Sequence, residues 1–352
     1  MIDQPHPAHV PGARRVLPPV CVVGLGLIGG SIMRDLAASG VNVFGFTNTK
    51  AGMRSATREG FDAYNDLTAV LSRASSSNAL IIIAVPMAAV EEILDAIAMY
   101  APNCGITDVV SVKQGVYELI QERGMKMRYV GGHPMSGTED SGWGASKQGL
   151  FTRAAWAITY DYAVECEEAG LPVPREWVEL FADVCELARI CGAEAVPVSV
   201  AKHDEAVARV SHLPHVLAEA LSIVGDRGGT LSQSLAAGSY RGATRVAATE
   251  PELVRAMCET NAEALVKTLD EILEILALAR EDLAAPEPTI EQLAGAGYRA
   301  ATRMGARKGA RAESVSPVKI SSRPVMRIQL GAHGWVKALK QTESLGGRID
   351  VF

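Results

Sequence analysis

A histidine and a serine in the first half of the chain are the side chains best suited to acid–base chemistry. His133 stands between two glycines and a proline, so the backbone rather than apolar packing places its ring. Since imidazole titrates near neutral pH, His133 is a candidate to accept a proton from an alcohol. Ser111 follows a predicted strand, where ligands bind in open α/β sheets. The alternatives are a loop histidine that is hydrogen-bonded for structural reasons and a serine that caps the next helix.

A second polar group is predicted on a helix in the second half of the chain. Ser211 and His215 lie seven and eleven residues after Asp204. These spacings are close to whole numbers of helical turns, so the three side chains are predicted to share one face. Pro214 would kink the helix, and a kinked helix with a polar face is a candidate site. Two other histidines of this segment are expected to be core or interface residues: His203 and His212.

Two arginines after this helix are candidates for binding an acid. Arg241 and Arg245 have no acidic residue close to them in sequence. A guanidinium can hold a carboxylate through two parallel hydrogen bonds, so either arginine is suited to a substrate carboxylate. The alternative is a surface ion pair.

A glycine-rich turn predicts how a nucleotide would bind. Gly24, Gly26 and Gly29 follow the apolar segment 20–23 and precede a helix-compatible segment. Such a turn lets the backbone approach a pyrophosphate, and the helix N-terminus offers free N–H groups to it. The alternative is a turn that only packs a helix onto a sheet.

The end of the second predicted strand bears on the choice of cofactor. An Asp or Glu usually stands there in NAD-binding proteins and repels a 2′-phosphate. Here Thr47, Asn48 and Thr49 follow the strand, with Lys50 and Arg54 close by. NADP is therefore preferred to NAD, although Thr47 and Asn48 could equally bind the free ribose of NAD.

The elements that position these residues alternate in type along the first half of the chain. Strands are predicted at 20–23, 41–46, 79–85, 105–109, 128–131 and 155–159, and helices at 50–59, 66–74, 87–100 and 114–123. This alternation indicates βαβ units. We therefore expect an α/β fold, namely a doubly wound parallel sheet of the Rossmann type followed by an all-helical domain for substrate binding and dimerisation.

Four segments of the chain are distinguished by composition. They are a disordered arm at 1–17, a dinucleotide-binding domain at 18–172, a helical domain at 173–302, and a basic linker with a small β-α-β appendage at 303–352. The long helical segment 250–284 is of the kind that packs against a second copy. A homodimer through the helical domain is therefore expected.

Composition excludes several classes of partner. The net charge is −6, and the last 52 residues hold ten Lys/Arg against three Asp/Glu, so the rest of the chain is acidic and offers no footprint for nucleic acid. No apolar run is long enough to span a membrane, and the first residues do not resemble a secretory signal. The six cysteines lack metal-like spacing, so we expect reduced thiols, no metal site and a cytoplasmic location.

Taken in series, these segments resemble the prephenate/arogenate dehydrogenase family of tyrosine biosynthesis. The matching segments are GLGLIGGS at 24–31, AVP at 84–86, DVVSVK at 108–113, GGHPMSGTE at 131–139, SHLPH at 211–215 and TRVA at 244–247. The resemblance covers about residues 20–285.

The resemblance implies an oxidative decarboxylation with hydride transfer to NAD or NADP. It implies that His133 accepts the proton of the ring hydroxyl, that Ser111 hydrogen-bonds that hydroxyl, and that Arg245 binds a substrate carboxylate. It places Thr138, Glu139, Ser211 and His215 at the substrate pocket, and Leu27, Ile28, Val85 and Pro86 beside the glycines at the cofactor.

Two features of the sequence depart from the family pattern, and two alternative functions are considered. Gly242 stands where family members commonly have Asp, and the tail after about residue 303 lies outside the resemblance, so inhibition by tyrosine is not predicted either way. The sequence does not choose between prephenate and arogenate. The alternatives are a β-hydroxyacid dehydrogenase related to 6-phosphogluconate dehydrogenase, with Lys202 as its catalytic candidate, and a nucleotide-binding regulator without turnover.

Overall fold

The structure is a computed structural model that describes residues 15–137, 140–309 and 323–352. The chain divides into two compact units, of which the first contains the described residues up to His203 together with Val325–Phe352, and the second spans Asp204–Pro324. The break therefore lies some 30 residues after the boundary predicted at 172. The reason is that segment 175–198, although largely helical, has buried residues in the same hydrophobic cluster as the first sheet.

Six parallel strands form the main sheet of the first unit, in the order β3-β2-β1-β4-β5-β6. They are β1 (Val20–Val23), β2 (Val43–Phe46), β3 (Ala63–Tyr64), β4 (Leu80–Ile83), β5 (Ile106–Asp108) and β6 (Tyr129–Val130). Along β1, Val20 and Val22 enter one hydrophobic cluster, whereas Cys21 and Val23 enter another. Both faces of the sheet are covered, which confirms the doubly wound fold predicted from the apolar runs.

Between residues 27 and 190, the described part of the first unit forms helices that lie between or beside these strands. They are α1 (Leu27–Ala38), α2 (Lys50–Arg58), α3 (Leu67–Ser76), α4 (Met87–Tyr100), α5 (Gln114–Glu122), α6 (Asp161–Glu168) and α7 (Arg175–Ile190). Capping side chains fix two of the starts: Thr49 accepts from the N–H of Gly52, and Asp66 from that of Ala69. The predicted helices of this half are confirmed.

A separate three-stranded sheet corrects one expectation. The strand predicted at 155–159 does not continue the parallel series. It is β8 (Ala155–Thr159), which pairs antiparallel with β7 (Gly132–Pro134) and parallel with β9 (Glu194–Val198). The strand run is correctly located, but its partner is set by long-range pairing that local sequence does not encode.

The C-terminal residues form the predicted β-α-β arrangement as an integral part of the first unit. Strand β10 (Val325–Ile328) pairs parallel with β11 (Arg348–Val351), and α15 (Trp335–Ser344) connects them. Trp335 and Leu339 are buried in the cluster that holds α7. The predicted appendage is therefore packed into the unit.

The predicted N-terminal arm ends earlier than expected. Residues 1–14 lie outside the described residues. Arg15, in contrast, donates to Asp183 at 2.5 Å and to Glu179 at 2.6 Å, and Leu17 is buried. These contacts attach residues 15–17 to α7.

The second unit is helical. It consists of α9 (Leu213–Arg227), α10 (Gly229–Leu235), α11 (Gly238–Thr244), α12 (Pro251–Thr260), α13 (Ala262–Ala284) and α14 (Glu291–Gly309), while α8 (Val200–Val207) runs across the boundary between the units. A π-helical turn at Ala208–His212 separates α8 from α9. Of the helices described, none is long and apolar enough to cross a membrane.

Candidate active site

The glycine turn between β1 and α1 has the geometry of a phosphate cradle. Gly24 has φ +108°, and a Cβ there would lie 2.3 Å from the carbonyl oxygen of Ala84; a Cβ on Gly29 would lie 1.9 Å from that of Gly24. Both positions therefore require glycine. Gly26 is different: a Cβ there would meet no described heavy atom within 4 Å. This open space at the start of α1 fits a pyrophosphate, which the free N–H groups of the helix would hold.

The neighbouring strand β4 completes one side of this cradle. Val23 and Ile83 are register partners in β1 and β4, the two strands at which the strand order reverses. Ligands of open α/β sheets bind at that crevice. Val85 and Pro86 follow β4 after Ala84, and Pro86 precedes the first residue of α4. Leu27 and Ile28 belong to the first turn of α1, which follows the glycine turn.

The end of β2 carries hydroxyl and amide groups. Thr47 is buried, and Asn48 is exposed. The hydroxyl of Thr49 is used as the cap of α2, where it accepts from Gly52 N at 3.0 Å. Lys50 and Arg54 lie exposed on the first turns of that helix. Since segment 47–50 holds no carboxylate, nothing in it repels a phosphate on the adenine ribose.

Ser111 lies half-buried in the turn between β5 and α5. Helix α5 begins at Gln114 and the residue at its N-cap position is Lys113. The alternative that Ser111 caps this helix is therefore wrong. The hydroxyl belongs to a turn at the carboxyl end of β5, as predicted.

A buried ion pair fixes this turn to the strand that carries His133. Asp108 and Lys113 are both fully buried and paired with each other. The ammonium of Lys113 also donates to the carbonyl of Gly132 at 2.8 Å. Tyr129 donates to Asp108 at 2.6 Å, and burial beside that carboxylate raises the pKa of Tyr129 well above its usual value. Because Gly132 precedes His133, the pair couples the Ser111 turn to the histidine.

His133 lies in β7 and contacts a second histidine. Its Nδ1 is 2.9 Å from Nε2 of His203, and the two ring planes meet at 63°. His133 is half-buried, whereas His203 is 3% exposed. The contact occupies Nδ1 of His133, and which of the two rings donates depends on their tautomers.

His203 is the residue that sequence reasoning missed. It was interpreted as a core or interface side chain, and it is indeed buried. Its ring, however, contacts His133, which lies 70 residues earlier in the sequence. Local spacing gives no sign of such a contact; a second histidine just before a candidate polar helix was the available hint.

The second unit holds three of the predicted substrate residues. Ser211 lies in the π-helical turn, with its hydroxyl 3.7 Å from the sulfur of Met257. His215 is half-buried, and its Nδ1 is buried without a hydrogen-bond partner in the described part of the chain. Arg245 is exposed at the start of a 3-10 turn, Arg245–Ala248. Two further predicted residues, Thr138 and Glu139, lie outside the described residues.

The helix that carries Ser211 and His215 departs from the predicted regular period. The π-helical turn at 208–212 has more residues per turn than an α-helix, so spacings counted across it no longer define one face. His212 is 1% exposed, and its Nδ1 lies 3.1 Å from Nδ2 of Asn261. This burial confirms the interpretation of His212 as a core residue.

The strand order and the glycine cradle define a dinucleotide-binding protein of the Rossmann class, to which a helical second unit is joined. The family profile described as prephenate dehydrogenase, nucleotide-binding domain, matches residues 32–169. The profile described as its dimerization domain matches residues 199–285.

Individual proteins agree with these profiles. A crystal structure from Corynebacterium glutamicum, provisionally described as a prephenate dehydrogenase, is 52% identical, covers 96% of this chain and 100% of its own, and superposes with a TM-score of 0.89. Prephenate dehydrogenase of Lactococcus lactis is 29% identical over 78% of this chain and 75% of its own length. Cyclohexadienyl dehydrogenase of Zymomonas mobilis is 29% identical over 76% of this chain and 89% of its own. The chain belongs to the prephenate dehydrogenase family.

Proposed function

We propose that this protein catalyses the oxidative decarboxylation of prephenate or arogenate in tyrosine biosynthesis, with hydride transfer to NADP or NAD. The observation that carries the proposal is the engaged Nδ1 of His133, in a unit that also contains the glycine cradle. A bound nicotinamide supplies the hydride acceptor. His133 accepts the proton of the ring hydroxyl, which Ser111 orients. The resulting dienone loses carbon dioxide and becomes aromatic.

The substrate-binding residues that the family resemblance implies are Arg245, Ser211, His215, Thr138 and Glu139. Arg245 binds a substrate carboxylate through its guanidinium, which the exposed position of the side chain allows. Ser211, His215, Thr138 and Glu139 line the pocket. Gly242 in place of an acidic residue leaves both side-chain types, the keto acid of prephenate and the amino acid of arogenate, as candidates.

NADP is the proposed cofactor, with NAD as the alternative. The pyrophosphate lies against Gly24, Gly26 and Gly29, with Leu27, Ile28, Val85 and Pro86 around it. The adenine ribose lies against Thr47, Asn48 and Thr49. Lys50 and Arg54 favour a 2′-phosphate there, since they add positive charge without a nearby acid in segment 47–50.

A homodimer through the second unit is part of the proposal. Several of its apolar side chains are more than half exposed, namely Leu231, Leu235, Leu273 and Leu278. A group of exposed apolar residues of this kind is typical of an interaction surface. The family profile matched by residues 199–285 is that of a dimerization domain.

A cytoplasmic location agrees with the state of the cysteines. All six are free thiols, and five of them are buried. Burial raises the pKa of Cys21, Cys185 and Cys191, which keeps these thiols protonated and unreactive.

An assay with two substrates and two cofactors tests the function. Purified protein is mixed with prephenate or arogenate and with NADP or NAD, and formation of the reduced cofactor is followed by its absorbance. Turnover of at least one substrate with release of one carbon dioxide per reduced cofactor is expected. A parallel assay with 6-phosphogluconate tests the alternative: its turnover, with neither prephenate nor arogenate turned over, would support the 6-phosphogluconate-type enzyme. Nucleotide binding without turnover of any of these would support a regulator.

The cofactor preference is tested at the end of β2. Thr47→Asp should lower the ratio of kcat/KM for NADP to that for NAD at least about tenfold, because a carboxylate there repels the 2′-phosphate. Thr57→Asp, which adds the same charge at an exposed position further along α2, is the control and should leave the ratio unchanged. An unaltered ratio in Thr47→Asp would remove Thr47 from the ribose site.

A further inference from the structure

Helix α14 (Glu291–Gly309) is a long helix with little packing of its own. Along the positions 291–305, whose burial the structure describes, every residue is exposed or half-buried. The large apolar side chains among them point to solvent, since Tyr298 is 75% exposed and Met304 is 61% exposed. Packing within the described part of one chain therefore contributes little to holding this segment as a helix.

The composition of α14 makes such a helix weak by itself. Gly297 and Gly305 lie in its interior, where glycine destabilises a helix relative to alanine. A Cβ on either glycine would meet no described heavy atom within 4 Å, so no described contact requires glycine there. In proteins, most helical stability comes from packing of an apolar face rather than from propensity. A stable α14 therefore needs a surface against which one of its faces packs.

The apolar residues of α14 lie on one face of the helix. They recur at spacings of four, three and four residues, which keeps them on the same side. Two such rows run side by side, namely Leu293, Gly297, Ala300 and Met304, and Ala294, Tyr298, Ala301 and Gly305. Arg299 and Arg303 are exposed and lie on the opposite side. The helix is therefore amphipathic, and its apolar face is largely exposed in a single copy.

This face continues the exposed apolar surface of the dimerization region. Six residues separate α14 from α13, and both helices belong to the second unit. Leu278 and Leu283 of α13 and Ile290 of the connection are each at least 45% exposed. The dimerization profile ends at residue 285, just before α14 begins. Exposed apolar residues therefore extend along the chain from the dimerization region into α14.

The connection between α13 and α14 is held by hydrogen bonds. The N–H of Thr289 donates to the carbonyl of Asp282 at 3.3 Å, and the hydroxyl of Thr289 accepts from the N–H of Glu291 at 3.2 Å. In this arrangement Leu278 of α13 and Tyr298 of α14 are both more than half exposed. The two helices therefore do not cover each other's apolar residues within one copy.

Charge favours a second copy of this chain as the partner of α14. Segment 204–285 has thirteen acidic and seven basic residues, whereas α14 has one acidic and four basic residues. Opposite net charges attract two copies in the orientation that brings α14 of one copy to the acidic segment of the other. The same acidic segment would repel a nucleic acid or an anionic membrane.

We propose that α14 packs through its apolar face against the second unit of a second copy, so that each copy contributes one α14 to the interface. This inference rests on the proposed homodimer and extends its interface beyond segment 199–285, where the family profile ends. Tyr298 and Met304 are the anchors, because aromatic and methionine side chains are enriched at the centres of protein interfaces.

Serine substitutions on the two faces of α14 test this packing. Tyr298→Ser combined with Met304→Ser should raise the dissociation constant of the dimer at least about 30-fold, because each copy loses two anchors. Gln292→Ser combined with Ala296→Ser, on the opposite face, is the control and should leave the constant unchanged within about twofold. Sedimentation velocity over a range of protein concentrations gives both constants. Equal constants for the two double variants would overturn the proposal.

A cross-linking measurement shows which copy α14 contacts. The photoreactive residue p-benzoylphenylalanine replaces Tyr298, and the chain is mixed with ¹⁵N-labelled chain, left to exchange subunits and irradiated. Mass spectrometry should find peptides of the second unit joined between labelled and unlabelled chains. The same residue in place of Ala296, on the opposite face, should give few such products. Cross-links confined to a single chain would overturn the proposal.

The wild-type chain separates this inference from the homodimer on which it rests. A wild-type mass of one chain at low micromolar concentration would overturn both, and sedimentation of that monomer with phosphatidylserine vesicles would assign α14 to a lipid surface instead. A wild-type dimer that Tyr298→Ser with Met304→Ser leaves intact would overturn the role of α14 alone. The proposed reaction is tested separately, by the assay with two substrates and two cofactors.

Discussion

His133 illustrates how a single side chain depends on its surroundings for its chemistry. The ring is carried by a short strand whose preceding residue, Gly132, is held by the buried ammonium of Lys113. Its Nδ1 is engaged by His203. Different neighbours therefore contact the backbone beside His133 and its ring, namely Lys113 at Gly132 and His203 at Nδ1.

Replacing the proposed base tests its role directly. His133→Asn should lower kcat by about two to four orders of magnitude, the range for loss of a general base, with nucleotide affinity little changed. The measurement is steady-state turnover together with nucleotide titration. His333→Asn, at an exposed position, is the matched control. Turnover in His133→Asn equal to that of the control would refute the assignment.

The ion pair beside the Ser111 turn should matter for stability. Lys113→Met leaves the buried carboxylate of Asp108 without its cation, which typically costs about 3–5 kcal/mol. The midpoint of urea unfolding should fall accordingly. Arg255→Met breaks an exposed ion pair with Glu259 on α12 and should change the midpoint little. Equal midpoints for the two variants would contradict a structural role for Lys113.

At the scale of elements, the turn from β1 to α1 combines two kinds of glycine. Gly24 and Gly29 are required because neighbouring backbone leaves no room for a Cβ. Gly26 has room for one. The distinction separates residues that form the cradle from the residue that leaves space for its ligand.

Two alanine substitutions in this turn should therefore affect different properties, namely nucleotide affinity and thermal stability. Gly26→Ala has an ordinary φ of −85° and open space, so it should unfold at the wild-type temperature but bind the dinucleotide at least about tenfold more weakly. Gly29→Ala forces its Cβ against the carbonyl of Gly24 and should lower the unfolding temperature. Calorimetry and fluorescence titration with the reduced cofactor distinguish the two. Wild-type affinity in Gly26→Ala would place the pyrophosphate elsewhere.

At the scale of the whole molecule, the second unit presents more apolar surface than a solitary unit would need. Helix α13 alone exposes Leu273, Ile275, Leu276, Leu278 and Leu283. The first unit buries many of its apolar residues in two clusters, which include the two faces of its main sheet. Dimerisation through the second unit would remove this surface from water.

The dimer is tested by placing charge on that helix. Leu273→Glu combined with Leu276→Glu should weaken self-association at least about 100-fold, because a buried unpaired carboxylate is costly. Light scattering after size-exclusion chromatography gives the mass. Glu274→Lys, between the two positions, controls for a change of charge. A double variant that stays dimeric at low micromolar concentration would move the interface away from α13.

Sequence alone was sufficient to locate most elements and to single out the residue types suited to the proposed chemistry. Apolar runs identified the strands of the main sheet, and the glycine turn and the His133 loop were recognisable because their chemistry needs particular residue types at short spacing. It determined the C-terminal β-α-β segment as well, since strand and helix periods are local properties.

Tertiary structure alone decided which elements pair and which side chains meet. It placed β8 in a second sheet, joined α7 and the C-terminal segment to the first unit, and brought His203 to His133 and Glu343 to the start of α8. The physical reason is that these contacts join residues 70 and 144 positions apart, where hydrophobic burial and hydrogen-bond satisfaction of the whole unit choose the partner. No local period carries that information.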